Sequence, residues 1–145
     1  METNELIELF EYAISAKNPE KVDNAVITSR TFDSPEETVP YLCKLLEYPW
    51  HYDHEDIVLE LQRIGDVRSI EVLNKTALRK FDYLDYDDSK ALARKCTWAL
   101  ADIGTKEAKE ALLELTKNPD EEIAEYARKR IDNWENELKR KKHCC

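Results

Sequence analysis

Two histidines and a run of carboxylates are the residues best placed to do chemistry in this chain. His51, Asp53 and His54 share one short segment, and Asp85, Asp87 and Asp88 share another. Imidazole and carboxylate groups bind zinc and harder divalent cations, so a metal site is the first chemistry to weigh. The spacing argues against it. His51 and His54 are not an i, i+4 helical pair and no ligand motif surrounds them, so they read as ordinary surface histidines and no metal is expected. The same segments carry Trp50, Tyr52, Tyr83 and Tyr86. Aromatic rings interleaved with carboxylates suit recognition of a basic protein surface, since Tyr and Trp anchor contacts at low entropic cost. Trp50, His51, Tyr52, Asp53, Tyr83, Asp85, Tyr86, Asp87 and Asp88 are therefore the candidate binding residues. The competing reading is that Tyr48, Trp50 and Tyr83 tuck back and seal helix ends. The sequence has no Gly-rich phosphate loop, no Ser or Cys nucleophile with a convincing His partner, and no zinc signature. No catalytic residue and no cofactor is expected.

The elements that must position these segments are helices. The chain has only two glycines, in Leu61-Gln62-Arg63-Ile64-Gly65 and Leu100-Ala101-Asp102-Ile103-Gly104. Both follow an amphipathic run and precede another, where glycine accepts the left-handed turn that ends a helix. A recurrence of about 40 residues built on helical pairs is the signature of a solenoid. Helices are expected over Glu5–Ala16, through Val22 to Val26, through Val39 to Leu46, from His54 to Ile64, and from Val67 to Ala77. Three more run through Leu92 to Ile103, from Thr105 through Leu115, and through Ile123 to Trp134. Asn18-Pro19, Ser34-Pro35 and Asn118-Pro119 read as caps with proline at the first helical position, and Thr105 as a further cap. In such a stack the connectors at 48–54, 81–88 and 117–121 are equivalent and should line up as one ridge.

Charge narrows the partner. The net charge is −9. Residues 1–60 hold 14 Asp and Glu against 4 Lys and Arg, whereas residues 61–145 hold 17 against 18. An acidic front half repels nucleic acid and attracts a basic protein surface, although acidity also serves solubility. Arg63, Arg68, Arg79, Lys80, Arg94 and Lys95 are spread among acids and mostly read as ion-pair partners on solvated helix faces. Cys43 and Cys96 fall on apolar helix faces, as small buried hydrophobes do. With no secretory signal and no long apolar run, a cytoplasmic setting with reduced thiols is expected.

On these residues the chain resembles HEAT repeats, particularly the short kind related to the HEAT-like repeats of phycobilisome lyases. The resemblance rests on Leu-x-x-Ile-Gly followed by a second helix in both copies, and on Asn118-Pro119-Asp120-x-x-Ile123-Ala124-x-x-Ala127. It covers about residues 34–134 and implies an all-α, right-handed α-α superhelix of about seven or eight helices. One domain over 1–138 is expected, with 1–33 as atypical capping helices and 139–145 as a basic flexible tail. The resemblance implies a binding scaffold and transfers no catalytic residue. The function expected is protein–protein interaction, as an acidic inhibitor of the immunity type or an adaptor on a basic partner. Two alternatives remain open. One is a phycobilisome-lyase-like accessory protein handling a pigment or its carrier. The other is a membrane-tethered adaptor, suggested by the basic run Lys139–Lys142 before Cys144-Cys145.

Overall fold

A computed structural model describes residues 2–32, 35–84, 90–136 and 138. Eight α-helices occur among them: α1 Thr3–Ala16, α2 Pro19–Thr31, α3 Val39–Glu47, α4 His54–Ile64, α5 Ile70–Leu78, α6 Ala91–Ile103, α7 Lys106–Leu115 and α8 Glu121–Asp132. Short 3-10 turns lie at Glu36–Thr38, Val67–Ser69 and Asp82–Leu84, and residues 134–136 and 138 are helical beyond α8.

Consecutive helices pair, α1 with α2, α3 with α4, α5 with α6 and α7 with α8. Across the pairs the even helices form one layer, α2–α4–α6–α8, and the odd helices form another, α1–α3–α5–α7. The chain is thus an all-α superhelical solenoid. Each helix turns one apolar stripe inward, and the stripes meet in a single core from Leu6 and Phe10 through Leu42, Leu61, Leu73 and Leu100 to Leu112 and Ala127. No helix alone could bury enough surface; the stack does it jointly.

The repeat also appears in polar contacts within the even layer. Glu55 of α4 pairs with Lys95 of α6, and Gln62 Nε2 donates to Asp102 Oδ2 at 2.7 Å. Partners in both pairs stand 40 residues apart, one more than the two glycines. Glu60, fully buried, sits between Arg30 and Arg63 at 3.1 Å from each.

Local chemistry ends most helices where the sequence indicates. Gly65 and Gly104 adopt φ of 69° and 72°, the left-handed region. The side chain of Asn18 accepts from the Lys21 amide, and that of Thr105 from the Ala108 amide. Three expectations are corrected. The last helix is capped by Asp120, whose side chain accepts from Glu122 and Ile123, while Asn118 accepts from the Asp120 amide. Val67 is exposed, because residues 67–69 wind as a 3-10 turn that takes them off the α5 stripe. Cys43 is only half-buried, whereas Cys96 is fully buried. The expected cap at Ser34 and the tail 139–145 lie outside the described residues.

Candidate functional site

One edge of the stack carries the connectors after α3 and α7 and the described parts of the connector after α5, and these adjoin. Tyr52 meets Tyr83 edge to face with ring centroids 5.3 Å apart. Residues 79–81, 84, 90–93, 118, 120 and 123 then surround one groove of about 430 Å³. A smaller depression of about 230 Å³ lies between Pro49, Tyr52, Lys80, Phe81, Asp82 and Tyr83. Lys90 and Asp120 pair at 3.2 Å across the larger groove.

The 48–54 connector is built as part of the core. An α-helix leaves its last four carbonyls without helical partners. At the end of α3, side chains from outside the helix answer that need. His51 Nε2 lies 2.6 Å from the Leu45 carbonyl, Arg79 Nη1 donates to the Leu46 carbonyl at 3.1 Å, and His54 Nε2 lies 2.8 Å from the Tyr48 carbonyl. A carbonyl only accepts, so each imidazole carries its proton on Nε2. Nδ1 of each ring is then an acceptor. His51 Nδ1 accepts from the Asp53 amide at 3.1 Å, and His54 Nδ1 accepts from the Tyr83 hydroxyl at 2.6 Å. The Tyr83 oxygen in turn accepts from the His54 amide at 3.2 Å.

The rings pile up over this cap. Trp50 stacks on Tyr48 and meets His51 edge-on, His51 stacks on His54 at 4.1 Å, and His54 stacks on Phe81 at 3.9 Å. Arg79 closes the column over Phe81 at 4.8 Å. This column spans the joint between α3, α4 and the connector after α5.

The candidate residues therefore separate. Tyr52 is 67% exposed, and Trp50 and Tyr83 are half-buried. His51 and His54 are fully sealed and Asp53 nearly so. The expectation of surface histidines, and of His51 and Asp53 as exposed contacts, is corrected: His51 is committed to the Leu45 carbonyl and the Asp53 amide, His54 to the Tyr48 carbonyl and the Tyr83 hydroxyl, and Asp53 is nearly sealed. Asp85, Tyr86, Asp87 and Asp88 lie outside the described residues. Arg79 and Phe81 were not singled out for this edge from sequence, and Arg79 is a helix cap rather than a partner on a solvated face. Phe81, an aromatic placed in a polar break, was the signal available.

Burial governs the electrostatics. It lowers His51, against the opposing pull of the Leu45 carbonyl. It brings His54 down to about 4, helped by the neighbouring His51. It lifts Asp53 to about 7, reinforced by a hydrogen bond to the Asp23 side chain and by that carboxylate's charge. It raises the Tyr83 phenol to about 12. With both nitrogens of each imidazole engaged, neither ring offers a free lone pair to a metal. Among the described residues no group of three or more His, Cys, Asp or Glu converges on a possible ion position.

Residues 92–118, which run from α6 across Gly104 and through α7, match the family model of the PBS lyase HEAT-like repeat. The chain carries a HEAT-like repeat. Gly104, the glycine turn that joins α6 to α7, falls inside the match. The α4–Gly65–α5 pair has the same helix–glycine–helix form as this HEAT-like repeat. No curated protein and no solved structure matches the chain. No helix among the described residues is long and apolar enough to cross a membrane.

Proposed function

We propose that this HEAT-like protein is a non-enzymatic scaffold that binds another protein along its connector edge, with Tyr52 as the central anchor. One observation carries the reading. Tyr52 stands 67% exposed on a segment whose neighbours on both sides are sealed. A large amphipathic ring presented on a fixed backbone costs little entropy to use, which is how aromatic anchors act at interfaces. Pro49, Lys80, Asp82 and the face of Tyr83 surround it with further contact surface.

The partner we favour is a protein with a basic surface, which this chain would inhibit or recruit. Support comes from the acidic excess of residues 1–60 and from the net charge of −9. Opposite charge speeds encounter and fixes orientation. The test is affinity for the partner isolated with the wild-type protein. Tyr52→Ala is expected to weaken binding about tenfold or more. Leu113→Ala, at an exposed position of α7, is expected to leave it unchanged. Equal affinity for wild type and Tyr52→Ala would remove the edge as the binding surface.

A further inference from the structure

We propose that residues 51–54 form a two-sided proton latch on the connector edge. The Asp53–Asp23 carboxyl pair ties the segment to α2 only while it keeps a proton, and the His51–His54 pair ties it to α3 only while neither ring gains one.

The hydrogen-bond directions carry the argument. His51 spends its one proton on the Leu45 carbonyl, and its Nδ1 receives the Asp53 amide at 3.1 Å. A second proton on that ring would point at a backbone donor, which cannot rotate away. His54 faces Tyr83, whose hydroxyl can turn, but the Tyr83 oxygen already receives the His54 amide. The two rings are nearly parallel, 13° apart with centroids at 4.1 Å, so two imidazolium charges would repel face to face. Asp53 obeys the opposite rule. Its nearly sealed carboxyl faces the carboxyl of Asp23, so burial and the like charge both oppose its ionisation, and two acceptor groups hold that contact only with a proton between them.

The charged and titratable surroundings are mixed. From α2 come Asp23 and Arg30, from α4 Glu55 and Asp56, and from the 79–84 connector Arg79 and Tyr83. From α3 come the carbonyls of Leu45, Leu46 and Tyr48. Arg79 works against a charge on His54, and Arg30 against a proton on Asp53. The shifts run as the geometry requires, with Asp53 up to about 7 and His54 down to about 4. Asp53 is raised on folding, so its contribution is complete in acid and is lost as pH rises through about 7. His54 is lowered on folding, so its contribution is complete above the ordinary value of 6.5 and is lost as pH falls toward about 4. Between those limits the two slopes oppose. The latch concerns how the edge is held, and it stands whatever the edge binds.

The experiment is urea unfolding of wild type, Asp53→Asn and His54→Gln between about pH 4.5 and about pH 6.5. Nitrogen-15 spectra of the wild-type histidine rings accompany it. Relative to wild type, Asp53→Asn should become less stable as pH falls, its unfolding constant rising about tenfold or more. His54→Gln should change by a similar factor in the opposite direction. The wild-type rings of His51 and His54 should remain neutral, with the proton on Nε2, at about pH 6. Variants that parallel wild type across the range, or rings already charged at that pH, would overturn the latch. If His54→Gln does not fold, the ring spectra and the Asp53→Asn slope decide the matter by the same criteria.

Discussion

The two edges of the stack are built by opposite means. On the short-turn edge, the helix ends are closed mainly by neighbours in sequence, although Arg68 Nη2 also reaches across to the Glu36 carbonyl at 3.2 Å. Gly65 donates its amide to the Leu61 carbonyl, the Asp66 side chain accepts from the Arg68 amide, and Thr105 caps α7 three residues on. On the connector edge, the end of α3 is closed from afar, by His51, His54 and Arg79, the last standing 33 residues from the carbonyl it serves. The short-turn edge rests chiefly on the right residue at the right place, in its glycine turns and its Asp66 and Thr105 caps. The connector edge needs the whole joint between repeats to be assembled, which makes a long connector as fixed as a helix.

Substitutions should separate the two edges by size. His54→Ala should cost the most, about 3 kcal/mol, because it strands the Tyr48 carbonyl and the Tyr83 hydroxyl and opens the ring column. Urea denaturation measures it, and a loss below about 1 kcal/mol would make the column ornamental. Gly104→Val should follow at about 2 kcal/mol. A side chain there meets positive φ, and its Cβ would stand 3.1 Å from Leu138 Cδ2. Thr105→Ala should cost about 1 kcal/mol, as losing one cap does. Tyr52→Ala should change the unfolding free energy least, by no more than about 0.5 kcal/mol, since most of its ring faces solvent. If Tyr52→Ala destabilised as much as His54→Ala, Tyr52 would be a structural ring rather than a presented one.

What the sequence made legible follows the same division. The glycine turns and the Asn18 and Thr105 caps were readable because each depends on residues within one turn of the chain. The adjoining connectors followed from the repeat of about 40 residues. The burial of His51 and His54 was not readable, because nothing periodic marks a histidine whose acceptor is a carbonyl six residues back. That Tyr83 tucks back on a helix end was one of the two readings open from the sequence, but nothing local named His54, 29 residues before it, as the partner. The Asn118 assignment failed for a smaller reason. Asn and Asp both cap helices, and Asn-Pro-Asp offers two such residues, of which Asp120 takes the position.

Amide hydrogen exchange at Asp53 and His54 tests most directly whether this long connector is a rigid part of the fold. Both amides donate to side chains inside the joint, to His51 Nδ1 and to the Tyr83 oxygen. At about pH 6 both should exchange as slowly as the amides of α4, and His54→Ala should release the Asp53 amide while α4 stays protected. Exchange of these two amides at the rate of an open loop in the wild-type protein would contradict the account.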